Sequence, residues 1–189
     1  MESVGYDLYL KLLSDAVNEQ KGTPLPPREE ECLIDLPVPA HIPESYIASN
    51  AQRLDIYRRI ADIRTMEDSL DVYDELIDRF GEPPAAVQGL IDVALLRNMA
   101  AGLGIYEVRQ QQDTLLLMQR KLDLEMGARL SAAMKGRVMV SAGAKPYFAV
   151  KVAKNLTPLD TLREALEAAA PPEKAPGQET KGKTVKEDG

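Results

Sequence analysis

Three helix-forming segments follow one another closely in the middle of this chain, and the residues at their boundaries limit how the chain can fold. Thr65 can cap the second segment, and Gly81 can end it because glycine readily adopts left-handed backbone geometry. The pair Pro83-Pro84 suits the first turn of the third segment, which Gly102 would end. Only short loops of a few residues connect the three segments, so the sequence predicts three helices packed antiparallel or at steep angles.

The second of these segments has a distinct polar side. Its apolar residues recur at helical spacing, and we expect them to face inward. They are Leu70, Tyr73, Leu76, Ile77 and Phe80. Asp71, Glu75 and Asp78 are spaced by four and three residues, which places them on one side of the helix beside Arg79. A metal or acid–base site would need further ligands from elsewhere, and nothing in the sequence indicates them. We interpret this side as a solvated surface that can contact a partner.

Beyond the third segment, the hydrophobic pattern changes from that of helices to that of strands. A hairpin is predicted around a turn at residues 110–113. The predicted strands are 32–36, 105–109, 114–118, 137–140 and 147–152, and further helices are predicted near 124–134 and after Thr157. The fold class is therefore α+β, with a helical half of three consecutive helices followed by a small, mostly antiparallel sheet with packing helices.

The composition excludes most catalytic and metal-binding chemistry. Cys32 and His41 are the only residues of their types, so an intramolecular disulfide and a zinc cluster of cysteines and histidines are impossible. His41 lies in a proline-rich stretch and is interpreted as a loop residue. The sequence also lacks the glycine-rich loops that bind nucleotide phosphates. We therefore expect no enzyme activity, no cofactor and no metal in this chain.

The net charge of −7, with an isoelectric point near 4.9, argues against a broad basic surface for nucleic acid. Arg53, Arg58, Arg59 and Arg64 nevertheless cluster near the first predicted helix, and they could contact phosphate. In an acidic domain such residues more often pair with Asp and Glu. No apolar run approaches the ~18–20 residues of a membrane-spanning helix, and the first residues are polar and acidic. We expect a cytoplasmic protein without membrane contact.

The two ends of the chain differ in composition from its middle. Residues 1–22 predict one amphipathic helix, and the proline-rich residues 23–31 predict a linker. Residues 171–189 hold four lysines, four acidic residues and almost no apolar side chain, which predicts a disordered tail. Residues 32–170 are then the folded domain.

Two motifs are distinctive in combination: residues 53–61 (RLDIYRRIA) and residues 75–84 (ELIDRFGEPP). Together with residues 103–105 (LGI) after the third helix, they closely resemble the C-terminal domain of the bacterial transcription-repair coupling factors (TRCF, Mfd). The resemblance covers about residues 1–166. Residues 2–9 resemble the end of the translocase motor in that family, which implies that the helix of residues 1–22 continues from the motor.

The resemblance implies a regulatory role in DNA repair. Proteins of this family are ATP-driven double-stranded DNA translocases that act on stalled RNA polymerase and recruit UvrA in transcription-coupled nucleotide excision repair. ATP and magnesium are expected to bind the motor, and neither is expected to bind this domain. The family's C-terminal domain packs against the N-terminal UvrA-binding module of the same protein, and this contact holds the resting protein in a closed, repressed state. The resemblance carries over Glu75, Asp78 and Arg79 as contacts with that module, and Asp71 lies beside them. The alternative is an accessory nucleic-acid contact by the four arginines.

Overall fold

The computed structural model describes residues 32–172, which form five helices and five strands, with three of the helices in succession between the first two strands. The helices are α1 (Asn50–Ala61), α2 (Met66–Phe80), α3 (Ala85–Gly102), α4 (Leu124–Ala133) and α5 (Pro158–Ala169). The strands are β1 (Leu33–Asp35), β2 (Ile105–Gln111), β3 (Thr114–Gln119), β4 (Val138–Ser141) and β5 (Tyr147–Lys151). The predicted helix and linker of residues 1–31 lie outside the described residues, as does the predicted tail from residue 173 onward.

The strands form one sheet in the order β1-β2-β3-β5-β4. The pairs β2–β3, β3–β5 and β4–β5 are antiparallel, and among the strands of residues 32–172 only β1 pairs in parallel, with β2. The predicted hairpin is present, but its turn is tighter than expected, since the strands leave only Gln112 and Asp113 between them. Gln112 has a φ of 55°, the left-handed geometry that such a short turn uses. The α+β fold class is confirmed.

Two apolar clusters fill the described residues, and α3 contributes to both. The cluster that we call the sheet core lies between one face of the sheet and the helices α4 and α5, and it includes Leu96 and Ala100 near the end of α3. The cluster that we call the helical core joins α1, α2 and the first half of α3. Because one helix serves both clusters, α3 is apolar on nearly every side, unlike the amphipathic helices around it.

The extended segment after β1 crosses the start of α3 at close range. The backbone N–H of His41 donates to the carbonyl of Ala86 at 3.3 Å, and the His41 side chain is exposed, as its loop interpretation predicted. A Cβ added at Gly89 would lie 2.8 Å from the carbonyl oxygen of Pro39, so glycine permits this crossing. The segment then continues into α1, which places α1 and α2 together at one end of α3. None of the helices in residues 32–172 has both the length and the apolar character that a membrane crossing requires.

Candidate interdomain surface

The helix α2 begins with a capping box that fixes its position in the chain. The N–H of Asp68 donates to the Thr65 hydroxyl oxygen at 3.1 Å, and the N–H of Thr65 donates to the Asp68 carboxylate at 2.8 Å. The N–H of Arg64 donates to the same carboxylate at 3.0 Å. These backbone hydrogen bonds, from Arg64 and then Thr65, lower the pKa of Asp68 below its usual value.

The end of α2 is held by two tyrosines. Gly81 ends the helix with a φ of 83°, as its sequence position predicted, and the Tyr46 hydroxyl donates to the Gly81 carbonyl at 2.7 Å. The Tyr73 hydroxyl donates to the Glu82 carboxylate at 2.7 Å, and this hydrogen bond raises the pKa of Tyr73. Both ends of α2 are therefore fixed, so its sides face defined directions.

The side of α2 that enters the helical core matches the prediction in part, because Leu76 is buried and Tyr73 and Phe80 pack against that core. Ser69, Val72 and Leu76 are buried, whereas Leu70 and Ile77 are 57% and 38% exposed. The prediction that Leu70 and Ile77 face inward is wrong. The physical reason is that α2 carries two adjacent apolar rows, and only one of them can face α1 and α3. The Ser69 hydroxyl donates to the Met66 carbonyl at 2.7 Å, so a polar side chain can occupy the buried row without losing a hydrogen bond.

Glu75 and Arg79 lie on the side of α2 that faces α1. The Arg79 Nη1 atom lies 2.5 Å from Glu75 Oε1, one helical turn away, and 3.9 Å from Asp55 Oδ2 of α1. The Arg59 Nε atom of α1 lies 2.7 Å from Glu75 Oε2. The Glu75 side chain is only 20% exposed. These four side chains form one network between the two helices, so Glu75 and Arg79 already have partners within the domain.

Asp71 and Asp78 occupy a different side of α2. Both are exposed, and they lie seven residues apart, which places them two helical turns from each other on the same side. Neither forms an ion pair with any of residues 32–172. The structure thus brings the four predicted contact residues onto one helix but divides them into an internally paired group and a free acidic group.

The arginines of the alternative interpretation do not form one patch. The Arg53 guanidinium donates to the carbonyls of Ile47 and Ala48 at 2.8 and 3.1 Å, and its side chain is 13% exposed. Arg59 pairs with Glu75, and Arg58 is five residues from Arg53, so it lies on another side of α1. The guanidiniums of Arg53 and Arg59 are therefore already engaged inside the domain.

Sequence reasoning missed a row of exposed apolar side chains on α2. Met66 and Leu70 are 50% and 57% exposed, and Ile77 follows on the same side of the helix. The signal was present in the spacing of 66, 70, 73 and 77, which repeats steps of four and three residues. The predicted inward set combined Leu70 and Ile77 of this row with Leu76, which belongs to the buried row.

These observations define a class of domain: a three-helix unit and a mixed five-stranded sheet that share one helix, with a charged and partly apolar helix on the surface. A family model described as "TRCF domain" matches residues 36–126. The chain therefore carries a TRCF domain and belongs to that family, which confirms the family that the sequence motifs suggested.

Curated relatives and a solved structure agree with this assignment. The chain is 36% identical over 117 residues to a transcription-repair-coupling factor of Bacillus subtilis, and 30% identical over 143 residues to one of Staphylococcus aureus. These matches cover 62% and 75% of this chain but 10% and 12% of the relatives, so the chain spans about a tenth of their length. The solved structure of a C-terminal domain of transcription-repair coupling factor is 19% identical with a TM-score of 0.65, covering 74% of this chain and 93% of that one. At this identity the solved structure supports the fold alone.

Proposed function

We propose that this chain is a non-catalytic regulatory domain of a transcription-repair coupling factor. In this proposal, α2 packs against the N-terminal UvrA-binding module of the same longer protein and keeps its DNA translocase in a repressed state. UvrA, RNA polymerase, double-stranded DNA, ATP and magnesium are then partners and cofactors of other parts of that protein. The matches of this chain to curated transcription-repair-coupling factors support its involvement in that process.

The observation that carries the proposal is the division of charges on α2. Asp71 and Asp78 are exposed and without an ion pair in the described part of the chain, whereas Glu75 and Arg79 are held in place by Arg59 and Asp55. A partner can therefore approach two free carboxylates beside an ion-pair network that is already formed within the domain. Preformed groups lose little conformational entropy on binding, which favours a specific contact.

The free energy of such a contact suits a closed state of the protein that must be able to open. An exposed ion pair contributes little, but breaking one side of a desolvated, hydrogen-bonded charge pair costs about 2–5 kcal/mol. Energies of that order keep a closed state dominant in a two-state equilibrium. They also let another binding event shift the population toward the open state.

The direct test is a binding titration between this chain and the separately produced UvrA-binding module of the same parent. We expect Asp78→Lys to weaken binding by at least about tenfold, since it places a like charge opposite the partner's basic group. Asp78 is suited to this test because it takes no part in the network with α1.

A matched control is Glu125→Lys, the same kind of charge reversal at an exposed carboxylate on α4. We expect it to leave the affinity within about twofold, because a distant surface charge acts only through a screened field. Equal effects of the two substitutions, or no binding by the unaltered chain, would contradict the proposal.

A further inference from the structure

A row of acidic side chains runs beside the exposed apolar row on α2. Met66, Leu70 and Ile77 form the exposed apolar row, and Tyr73, which lies between Leu70 and Ile77, is half-buried against the helical core. Glu67, Asp71, Asp74 and Asp78 each follow one of these four residues in the sequence. The two rows therefore run side by side along the helix, about 100° apart. All four carboxylates are exposed, and none forms an ion pair within residues 32–172.

From this arrangement we propose that α2 is a docking surface for an amphipathic helix whose apolar stripe is bordered along one edge by lysine or arginine. The apolar row offers large side chains at the steps of four and three residues at which two helices interlock. The acidic row specifies positive charge along one edge of the partner. The inference goes beyond the proposed function and stands without it, because it concerns the chemistry that α2 binds and not which protein supplies it.

Charge argues against a second copy of this chain as the occupant. The helix α2 contains six acidic residues and one basic residue, Arg79, whose guanidinium is already paired with Glu75. Two copies packed antiparallel through their apolar rows would bring the acidic rows together, and like charges across an interface are strongly unfavourable. A parallel pair would place the acidic rows at opposite edges, where neither would meet a basic row. Nucleic acid is disfavoured for the same reason, since its phosphates would meet the carboxylates.

The ends of this chain fit the surface poorly as well. Residues 1–31 contain seven acidic and three basic residues, so they share the charge of α2. Residues 173–189 hold four lysines and four acidic residues, but their only large aliphatic side chain is Val185. A helix from elsewhere, with basic residues beside a continuous apolar stripe, is therefore the occupant that both rows favour.

The proposal can be tested with a synthetic peptide of leucine and lysine, about 14 residues or four helical turns long, titrated into the full chain. We expect binding at low salt that weakens as salt rises, with amide chemical-shift changes centred on residues 66–78. A peptide of the same pattern with glutamate in place of lysine should not bind. Equal binding of the two peptides would overturn the role of the acidic row.

Variants of the chain separate the two rows. We expect the double substitution Leu70→Ser with Ile77→Ser, and separately Asp74→Asn with Asp78→Asn, to weaken lysine-peptide binding by at least about tenfold each. Leu124→Ser is the matched control, because Leu124 is 73% exposed on α4 and belongs to neither row. It should change the affinity by less than about twofold.

Three results would overturn the proposal. The first is an equal loss of affinity in the Leu124 control and in the Leu70–Ile77 variant. The second is unchanged binding in both row variants, with their fold verified by circular dichroism. The third is a concentration-dependent dimer of the unaltered chain that the Leu70–Ile77 variant abolishes, because the occupant would then be a second copy. None of these results depends on the UvrA-binding module, so they are distinguishable from failure of the proposed function.

Discussion

The helical core and the sheet core share α3, but they differ in how completely the elements around them bury their large apolar residues. In the sheet, Leu115, Leu117, Phe148 and Val150 are fully buried in strict alternation along β3 and β5. The exposed apolar residues of that region lie at the start of α4 or on β1 and β4, at the two edges of the sheet. Such scattered positions are ordinary for a protein surface.

The helical region differs because its exposed apolar residues share one side of one helix. Met66, Leu70 and Ile77 of α2 are exposed in a row, although a second row of the same helix supplies the buried contacts. The comparison shows that α2 has more large apolar side chains than the described part of the domain buries. Exposed apolar side chains grouped in this way, beside unpaired carboxylates, are the feature on which the proposed docking surface depends.

The largest expected difference in stability is between alanine substitutions at two adjacent residues of α2, one buried and one exposed. Leu76 is fully buried, so Leu76→Ala should lower the free energy of unfolding by about 2–5 kcal/mol. Ile77 is 38% exposed, and Ile77→Ala should lower it by less than about 1 kcal/mol. Urea unfolding followed by circular dichroism measures both. Similar losses for the two variants would mean that the exposed row is covered within the domain.

The second prediction compares the effect on stability of a glycine-to-alanine substitution near each end of α3, one end lying in each region. Gly89→Ala should destabilise the fold by about 1–3 kcal/mol, because the new Cβ would lie 2.8 Å from the Pro39 carbonyl oxygen, a backbone atom. A Cβ at Gly102 meets nothing within 4 Å, so Gly102→Ala should be neutral or stabilise by about 0.5–1 kcal/mol through helix propensity. Thermal unfolding of the two variants decides this, and a loss at Gly102 would contradict it.

The smallest expected effect is on the pH dependence of stability, and it concerns the capping boxes of α2 and α5. Hydrogen bonds lower the pKa of Asp68 and of Asp160, so the ionised carboxylates favour the folded state. Their contribution is fully present above the usual aspartate pKa and is lost as pH falls through the lowered folded value. Asp68→Asn and Asp160→Asn should each reduce stability near neutral pH and converge with the unaltered chain in acid. Unfolding curves from neutral to strongly acidic pH measure this; a constant difference would refute it.

Local signals allowed much of the fold to be predicted from the sequence. Thr65 and Thr157 cap α2 and α5 as expected, Gly81 ends α2, and the hairpin and closing helix lie near their predicted positions. Each of these features depends on residues close in sequence. The parallel pairing of β1 with β2 could not be predicted, because its strands are separated by about 70 residues that form three helices.

The candidate surface was only partly predictable for a related reason. Spacing alone placed Asp71, Glu75, Asp78 and Arg79 on the outside of one helix, but it could not show that Arg59 and Asp55 of α1 engage two of them. It also could not decide between two adjacent apolar rows, since that choice depends on the direction from which α1 and α3 approach. The contact role of the four residues stays a prediction.

The most direct test of the masking function uses the full-length parent with Asp71→Lys and Asp78→Lys together, and Glu125→Lys as the control. Both carboxylates are exposed and outside the internal network, so the domain should remain folded. If α2 keeps the UvrA-binding module covered, the double variant should bind UvrA at least about tenfold more tightly and turn over ATP faster, while the control behaves as the unaltered protein. Unchanged UvrA affinity and ATPase rate in a correctly folded double variant would contradict the account.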